Sequence, residues 1–223
     1  FYYTSSDIPL KSVYKEIDIP HYKKLFTTLK KKYNIIKQEY NKYPINQFKN
    51  IQGNAFFGQR LTKDGKWKSL YLIWPGRVNK IVINKYFKKT YDILKKENVK
   101  LALLSRLEPG AVIKPHFGVF KGCIRVHLAI DVPNENDGQC YILIDGVKWK
   151  WVNGKLLIFD DTYLHSVKNQ TKKTRTILFM DILRPLNNPI SNVIGNIINN
   201  NIRPFIQLTE NIANLKKGLH IDT

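Results

Sequence analysis

Acidic residues are scarce: 17 Asp and Glu stand against 37 Lys and Arg in a chain of 223 residues, leaving a formal charge of +20. That imbalance argues for partners of anionic character, whether a nucleic acid, a membrane face or an acidic substrate. The lysines are dispersed, in short groups such as Lys30-Lys31-Lys32, Lys88-Lys89, Lys95-Lys96 and Lys172-Lys173 among abundant Asn and Ile. Dispersal disfavours a dedicated nucleic-acid site. Cysteine is nearly absent too. Cys123 and Cys140 are the only two, which rules out a multi-disulfide framework and leaves buried thiols, with a weak lean towards a reducing compartment. Long apolar runs are missing, and none approaches the roughly 20 residues that a membrane-spanning helix needs. The chain opens on Phe1 and not Met, so an upstream segment is expected and localisation, cytoplasmic or membrane-associated, stays open.

What is present suits a globular fold: 43% apolar and 12% aromatic residues, enough for one domain over 1–223 with a substantial core. Residues 1–50 read as a helical N-terminal part. Within 21–43, Tyr22, Leu25, Phe26, Leu29, Tyr33, Ile36 and Tyr40 recur at helical spacing with lysines between them. A second helix is expected over 84–97, and residues 54–76 read as strand, turn at Asp64-Gly65, then strand. Beyond residue 99 the period changes. Short Val, Ile, Leu and aromatic runs at 99–107, 123–131, 139–145, 147–151, 155–160 and 174–183 alternate with turn signals. Many short strands at this spacing predict a mainly β fold with flanking helices, a sandwich or barrel core over about 51–185. Residues 186–223 read as C-terminal helices, with Ile190, Val193, Ile194, Ile197 and Ile198 on one face and a last helix near 205–217. Such helices are expected to cover the sheet, with a dimer contact or a membrane surface as alternatives.

The stretch "PHFGVFKGCIRVHL", residues 115–128, reads as strand and sets two histidines around an arginine. On a strand of period two, Cys123, Arg125, His127, Ala129 and Asp131 point one way, and Ile124, Val126, Leu128 and Ile130 the other. A cation beside an imidazole is costly inside a sandwich unless an acceptor meets them, and a bound carboxylate would satisfy both. Downstream, His165 follows a turn at Asp160-Asp161, and Arg175 opens a strand ten residues later. A histidine, a later histidine and then an arginine about ten residues on is the layout of Fe(II)/2-oxoglutarate oxygenases. Imidazole suits Fe(II), and arginine's planar fork matches a carboxylate.

The segments "GKWKSLYLIWPG", "SRLEPGAVIKPHFG", "CIRVHLAIDVP", "CYILIDGVKWKWVNGKLLIFDDTYLHSVKNQT" and "RTILFMDILRP" carry a resemblance to the aspartyl/asparaginyl β-hydroxylase family, which includes bacterial lipid A hydroxylases. It extends from about Trp67 to Pro185. The resemblance implies a double-stranded β-helix, or jelly roll. It implies Fe(II) held by His116 and His165, with 2-oxoglutarate and dioxygen as cosubstrates. Arg175 would grip the distal carboxylate of 2-oxoglutarate. Ser105 and His127 would bond the cosubstrate, Arg125 would lie near an acid group of cosubstrate or substrate, and Trp67 would line the pocket. Where most such oxygenases carry Asp or Glu, two residues after the first histidine, this chain has Gly118. The peptide-hydroxylating branch resembles it there, so a two-histidine site is expected, with water, halide or a remote carboxylate in the third position. Gly118 favours a protein side chain as substrate. By contrast, "IDGVKWKW", "DDTYLH" and "DILRP" look closer to the lipid branch, which leaves an acyl chain as the alternative. A basic jelly-roll module without catalysis, binding nucleic acid or an anionic membrane, is the competing reading.

Overall fold

The computed structural model describes residues 6–50, 61–62, 65–74, 77–97, 99–118, 120–134, 136, 138–190, 193 and 197. The expected strand over 54–60 and the last helix near 205–217 lie outside these residues. Two antiparallel sheets face each other. The larger has the order β1 (Val13–Tyr14), β10 (Leu156–Phe159), β7 (Cys123–Asp131), β12 (Arg175–Leu183), β5 (Leu101–Leu107), β3 (Trp67–Trp74), β2 (Lys49–Asn50), with β4 (Arg77–Val78) on β3. The smaller has the order β6 (Val112–His116), β11 (His165–Asn169), β8 (Cys140–Ile144), β9 (Val147–Trp149). From β5 onward the chain alternates between sheets: β5 large, β6 small, β7 large, β8 and β9 small, β10 large, β11 small, β12 large. That weave is the double-stranded β-helix, in which every neighbouring pair of strands runs antiparallel and two sheets enclose a central space.

Alternation along β7 divides two cores. Ile124, Val126, Leu128 and Ile130 join the helix-side core, while Ala129 joins the core between the sheets. Arg125 and His127 share that inter-sheet face, because residues two apart on a strand point the same way. Four helices cover the outer face of the large sheet: α1 (Lys23–Lys31), α2 (Tyr33–Lys42), α3 (Lys80–Tyr86) and α4 (Lys88–Lys96). Their apolar stripes supply Leu25, Phe26, Leu29, Ile36, Ile83 and Leu94 to the core, and the intervening lysines stay in water.

Each of the two expected helices is broken. The first breaks at Lys32, and two tyrosines anchor its halves to different strands: Tyr22 donates to the Leu183 carbonyl at 3.1 Å, and Tyr33 to the Ile130 carbonyl at 2.9 Å. The second breaks at Phe87, whose ring is fully buried at the joint. The free N–H groups at the start of α4 are capped from α2, since the Glu39 carboxylate accepts from the backbone of Lys89 and Thr90, each at 2.9 Å.

Residues 115–128 are not one strand. His116 ends β6 in the small sheet, the chain crosses through Gly118 and Gly122, and β7 begins at Cys123 in the large sheet. In the tail, Ile190, Val193 and Ile197 are exposed; Ile194 and Ile198, on the same expected face, lie outside the described residues. Cys123 and Cys140 are not joined in a disulfide; Cys123 is buried, as expected, and Cys140 is half-buried. Among the described residues, no helix is long and apolar enough to cross a membrane.

Candidate active site

The strand pairing of the small sheet brings the two histidines together. His165 on β11 sits opposite His116 on β6, with ring centroids 4.1 Å apart. Both rings are oriented by the same local device. Nδ1 of His116 bonds the carbonyl of Lys114 at 2.8 Å, and Nδ1 of His165 that of Tyr163 at 2.9 Å. A carbonyl can only accept, so each Nδ1 carries the proton and each Nε2 keeps its lone pair, the state a metal ligand needs. Burial reinforces that state. Desolvation lowers the His116 pKa, with the Lys114 bond opposing and Arg125 assisting, and it takes His165 down to about 3. Both imidazoles are neutral at physiological pH. Among the described residues, no group of three or more His, Cys, Asp or Glu gathers around one cation position, so the protein offers a pair of imidazoles.

Gly118 has a steric explanation. A Cβ built on it would land within the carboxylate of Asp161. The Gly118 N–H also donates to the Asp161 carbonyl at 2.6 Å, which holds the two loops in contact. The Asp161 carboxylate, arriving from the turn before His165, thus takes up the space that any side chain at position 118 would need. Arg125 holds it there, with its guanidinium 2.8 Å from Asp161 Oδ2 and its Nε donating to Asp181 at 3.0 Å. Asp160, the neighbouring acid, faces away. It accepts from the backbone and hydroxyl of Thr162, closing the turn, and it meets Arg184 and Lys121 in a buried cluster. One acid serves the turn and the other the site, a division that sequence alone leaves open.

Deeper between the sheets, polar groups collect that point nowhere else. Arg175 is 1% exposed and His127 4% exposed, and Nε of the first and Nε2 of the second are buried without a hydrogen-bond partner. Burial brings Arg175 down to about 10, so it remains a cation. Desolvation, with Arg175 and Arg125 nearby, lowers His127 well below its ordinary value and keeps it neutral. Arg175 approaches Ser105 Oγ at 3.4 Å, and the Trp67 indole donates to the same Oγ at 3.0 Å. With two donors on its oxygen, the Ser105 hydroxyl proton is available to a further acceptor. Unpaired buried donors of this kind cost about 1–3 kcal/mol each unless a ligand meets them.

The structure therefore brings His116 and His165 into one pair, and Arg175, Ser105, His127 and Trp67 into one largely buried cluster. Arg125 lies between these groups with its fork engaged by Asp161 and Asp181. Sequence reasoning missed Trp151. Its indole donates to His127 Nδ1 at 3.3 Å, and its ring lies 4.5 Å from the Arg175 guanidinium carbon. Strand alternation gives no signal for it, because Trp151 lies just beyond β9 and the residues in step with it, Val147 and Trp149, are exposed. Cys140, read only as a buried thiol, also touches the Arg175 guanidinium.

The double-stranded β-helix thus pairs two neutral histidines on the small sheet and buries Arg175, its Nε unpaired, between the sheets. The aspartyl/asparaginyl β-hydroxylase family model matches residues 30–185, and the chain belongs to that family. Among curated relatives, the ornithine lipid ester-linked acyl 2-hydroxylase of Rhizobium tropici is 32% identical over 72% of this chain and 57% of its own length. The human aspartyl/asparaginyl β-hydroxylase is 29% identical over 57% of this chain and 17% of its own. The chain thus spans little more than half of the first relative and far less of the second. Of solved structures, a Trichoplax adhaerens prolyl hydroxylase in complex with a hypoxia inducible factor peptide overlaps 77% of this chain and 94% of that one, at 16% identity and a TM-score of 0.45. That overlap is too loose to say what this chain does.

Proposed function

We propose that the protein is an Fe(II)/2-oxoglutarate-dependent hydroxylase of an unactivated C–H bond. The observation that carries this is the set of unmet partners between the sheets. Two imidazoles have their Nδ1 protons held by carbonyls, and two buried donors, Arg175 Nε and His127 Nε2, await an acceptor. His116 and His165 would hold the iron, which when bound would couple dioxygen reduction to oxidation of 2-oxoglutarate and of the substrate. Arg175 would bind the distal carboxylate through its planar fork, while Ser105 and His127 would donate to the cosubstrate. Arg125 would hold Asp161 in the place that Gly118 leaves open. The Asp161 carboxylate beside Gly118 would repel a halide brought near it, which disfavours halogenation.

For the substrate, the rim favours an acyl chain. Phe117, directly after His116, is 61% exposed; Leu164, directly before His165, is 46% exposed. Val147 continues the same cross-strand row through Ile144 and is 55% exposed. Exposed apolar groups clustered at a site mouth mark a hydrophobic ligand. The match to an acyl-lipid hydroxylase over most of the chain supports the same reading. Hydroxylation of a protein side chain is the second reading, favoured by Gly118. The test supplies Fe(II), ascorbate and 2-oxoglutarate with either acyl-lipid micelles or Asp- and Asn-containing peptides. Succinate release and one added oxygen by mass spectrometry are expected with the lipid. Oxygen insertion into peptide alone would reverse the order, and succinate release with neither, under any metal condition, would remove the proposal.

A further inference from the structure

We propose that Trp151 is a positioning residue that fixes His127 in the Nε2–H tautomer, so that this imidazole can only donate into the pocket beside Arg175. An indole N–H donates and never accepts. The ring nitrogen of His127 that faces it, at 3.3 Å, must therefore be unprotonated, and the proton must sit on the other nitrogen. That other nitrogen, Nε2, is the buried one with no partner. The doubly protonated ring is excluded by the same contact, because it would set two donors against each other.

The ring cannot escape this arrangement by turning. It is enclosed by Phe159 at 5.0 Å, Phe179 at 5.1 Å and Trp151 at 6.1 Å between centroids. The same indole lays its face on the Arg175 guanidinium at 4.5 Å, a desolvated cation–π contact. One side chain thereby aligns both groups through different parts of its ring. The N–H sets the polarity of His127, and the π face steadies Arg175. Trp67 does the equivalent for Ser105, since its N–H occupies the hydroxyl oxygen and leaves the proton to be donated. This cluster is thus arranged to donate, which suits a carboxylate and rejects a neutral amide that must also place its own N–H donors.

This inference rests on the proposed 2-oxoglutarate site, but its first readout needs neither metal nor cosubstrate. Long-range 1H–15N correlation spectra of the metal-free protein report which His127 nitrogen bears the proton. The Nε2–H form is expected in the wild type, and a dominant Nδ1–H form would overturn the proposal without any variant. Trp151→Phe keeps an aromatic ring beside Arg175 and removes the N–H together with part of the indole, so a His127→Phe background separates the bond from the packing. In that variant both tautomers should appear, and 2-oxoglutarate affinity of the Mn(II)-loaded protein should fall about tenfold, the scale of one hydrogen bond to a charged group. In a His127→Phe background the same substitution should have no further effect on affinity. A loss of equal size there would show that Trp151 acts through packing and not through His127. If wild-type protein shows the Nε2–H tautomer but no metal-dependent 2-oxoglutarate binding, the functional reading fails while the tautomer assignment stands.

Discussion

Replacing Gly118 with aspartate would restore, on paper, the carboxylate that most relatives of this fold carry, yet here it should harm the protein. The new Cβ would fall on the Asp161 carboxylate, and the Gly118 N–H to Asp161 carbonyl bond of 2.6 Å keeps the two loops from separating. Asp161 would have to leave its 2.8 Å contact with Arg125. Overpacking alone costs about 1–3 kcal/mol, and a second carboxylate beside the first adds repulsion that Arg125 offsets only in part. At roughly 2–4 °C per kcal/mol for a chain of this size, overpacking alone should make the metal-free Gly118→Asp variant melt about 2–12 °C below wild type. Removing the obstructing group should reverse this. Gly118→Asp combined with Asp161→Ala should recover most of the loss, with a coupling on the order of 1–3 kcal/mol in the double-mutant cycle. Differential scanning calorimetry of the four metal-free proteins is sufficient. A Gly118→Asp variant within about 1 °C of wild type, or additive losses in the double variant, would refute the claim that Asp161 occupies the vacated position.

Arg175→Ala should raise the 2-oxoglutarate KM by about 10- to 100-fold with a smaller change in kcat, because a charge-assisted pair with a buried cation is lost; steady-state kinetics over cosubstrate concentration will show it. Arg184→Met should destabilise by about 3–5 kcal/mol, measured by denaturant unfolding, because Asp160 keeps its buried charge with only Lys121 opposite. The metal-free protein should lose stability in acid. His165 is held to about 3, against about 6.5 when unfolded, so below pH 6.5 the unfolded chain binds the extra proton. Stability is then full above about 6.5 and falls by up to about 1.4 kcal/mol per pH unit towards 3, with His116 adding in the same direction. Urea unfolding between pH 7 and pH 4 measures the slope; a flat profile would contradict the neutral buried pair.

The parts of the fold legible in the sequence are those where burial repeats with a period. The strand over 123–131 is an example, since Ile124, Val126, Leu128 and Ile130 mark its helix-side face at every second residue, although the other face is largely buried too. The strands that carry the histidines were harder to see. VIKPH and HSVKN are short and polar, and pairing with each other, more than composition, makes them strands. The helix breaks at Lys32 and Phe87 also follow from distant contacts, the tyrosine anchors and a buried ring, which helical periodicity does not encode. Within the proposed site, the order and spacing of His116, His165 and Arg175 are legible in the sequence. Asp161 beside Gly118 was not, because the contact joins two loops more than 40 residues apart and depends on how Arg125 bridges the sheets. Trp151 escaped for a related reason: its role lies in which hydrogen bond its indole makes, and the sequence shows only another apolar residue.

The central claim is that metal and 2-oxoglutarate share one site. Its most direct measurement is the melting temperature of metal-free protein with Mn(II), with 2-oxoglutarate, and with both. Together, at about 100 times the dissociation constant, they should stabilise by about 2.7 kcal/mol, or roughly 5–11 °C. That joint shift should exceed the sum of the separate ones, and Arg175→Ala should abolish the excess. Purely additive shifts, or no shift in any combination, would contradict a coupled site and leave the paired histidines without the role assigned to them.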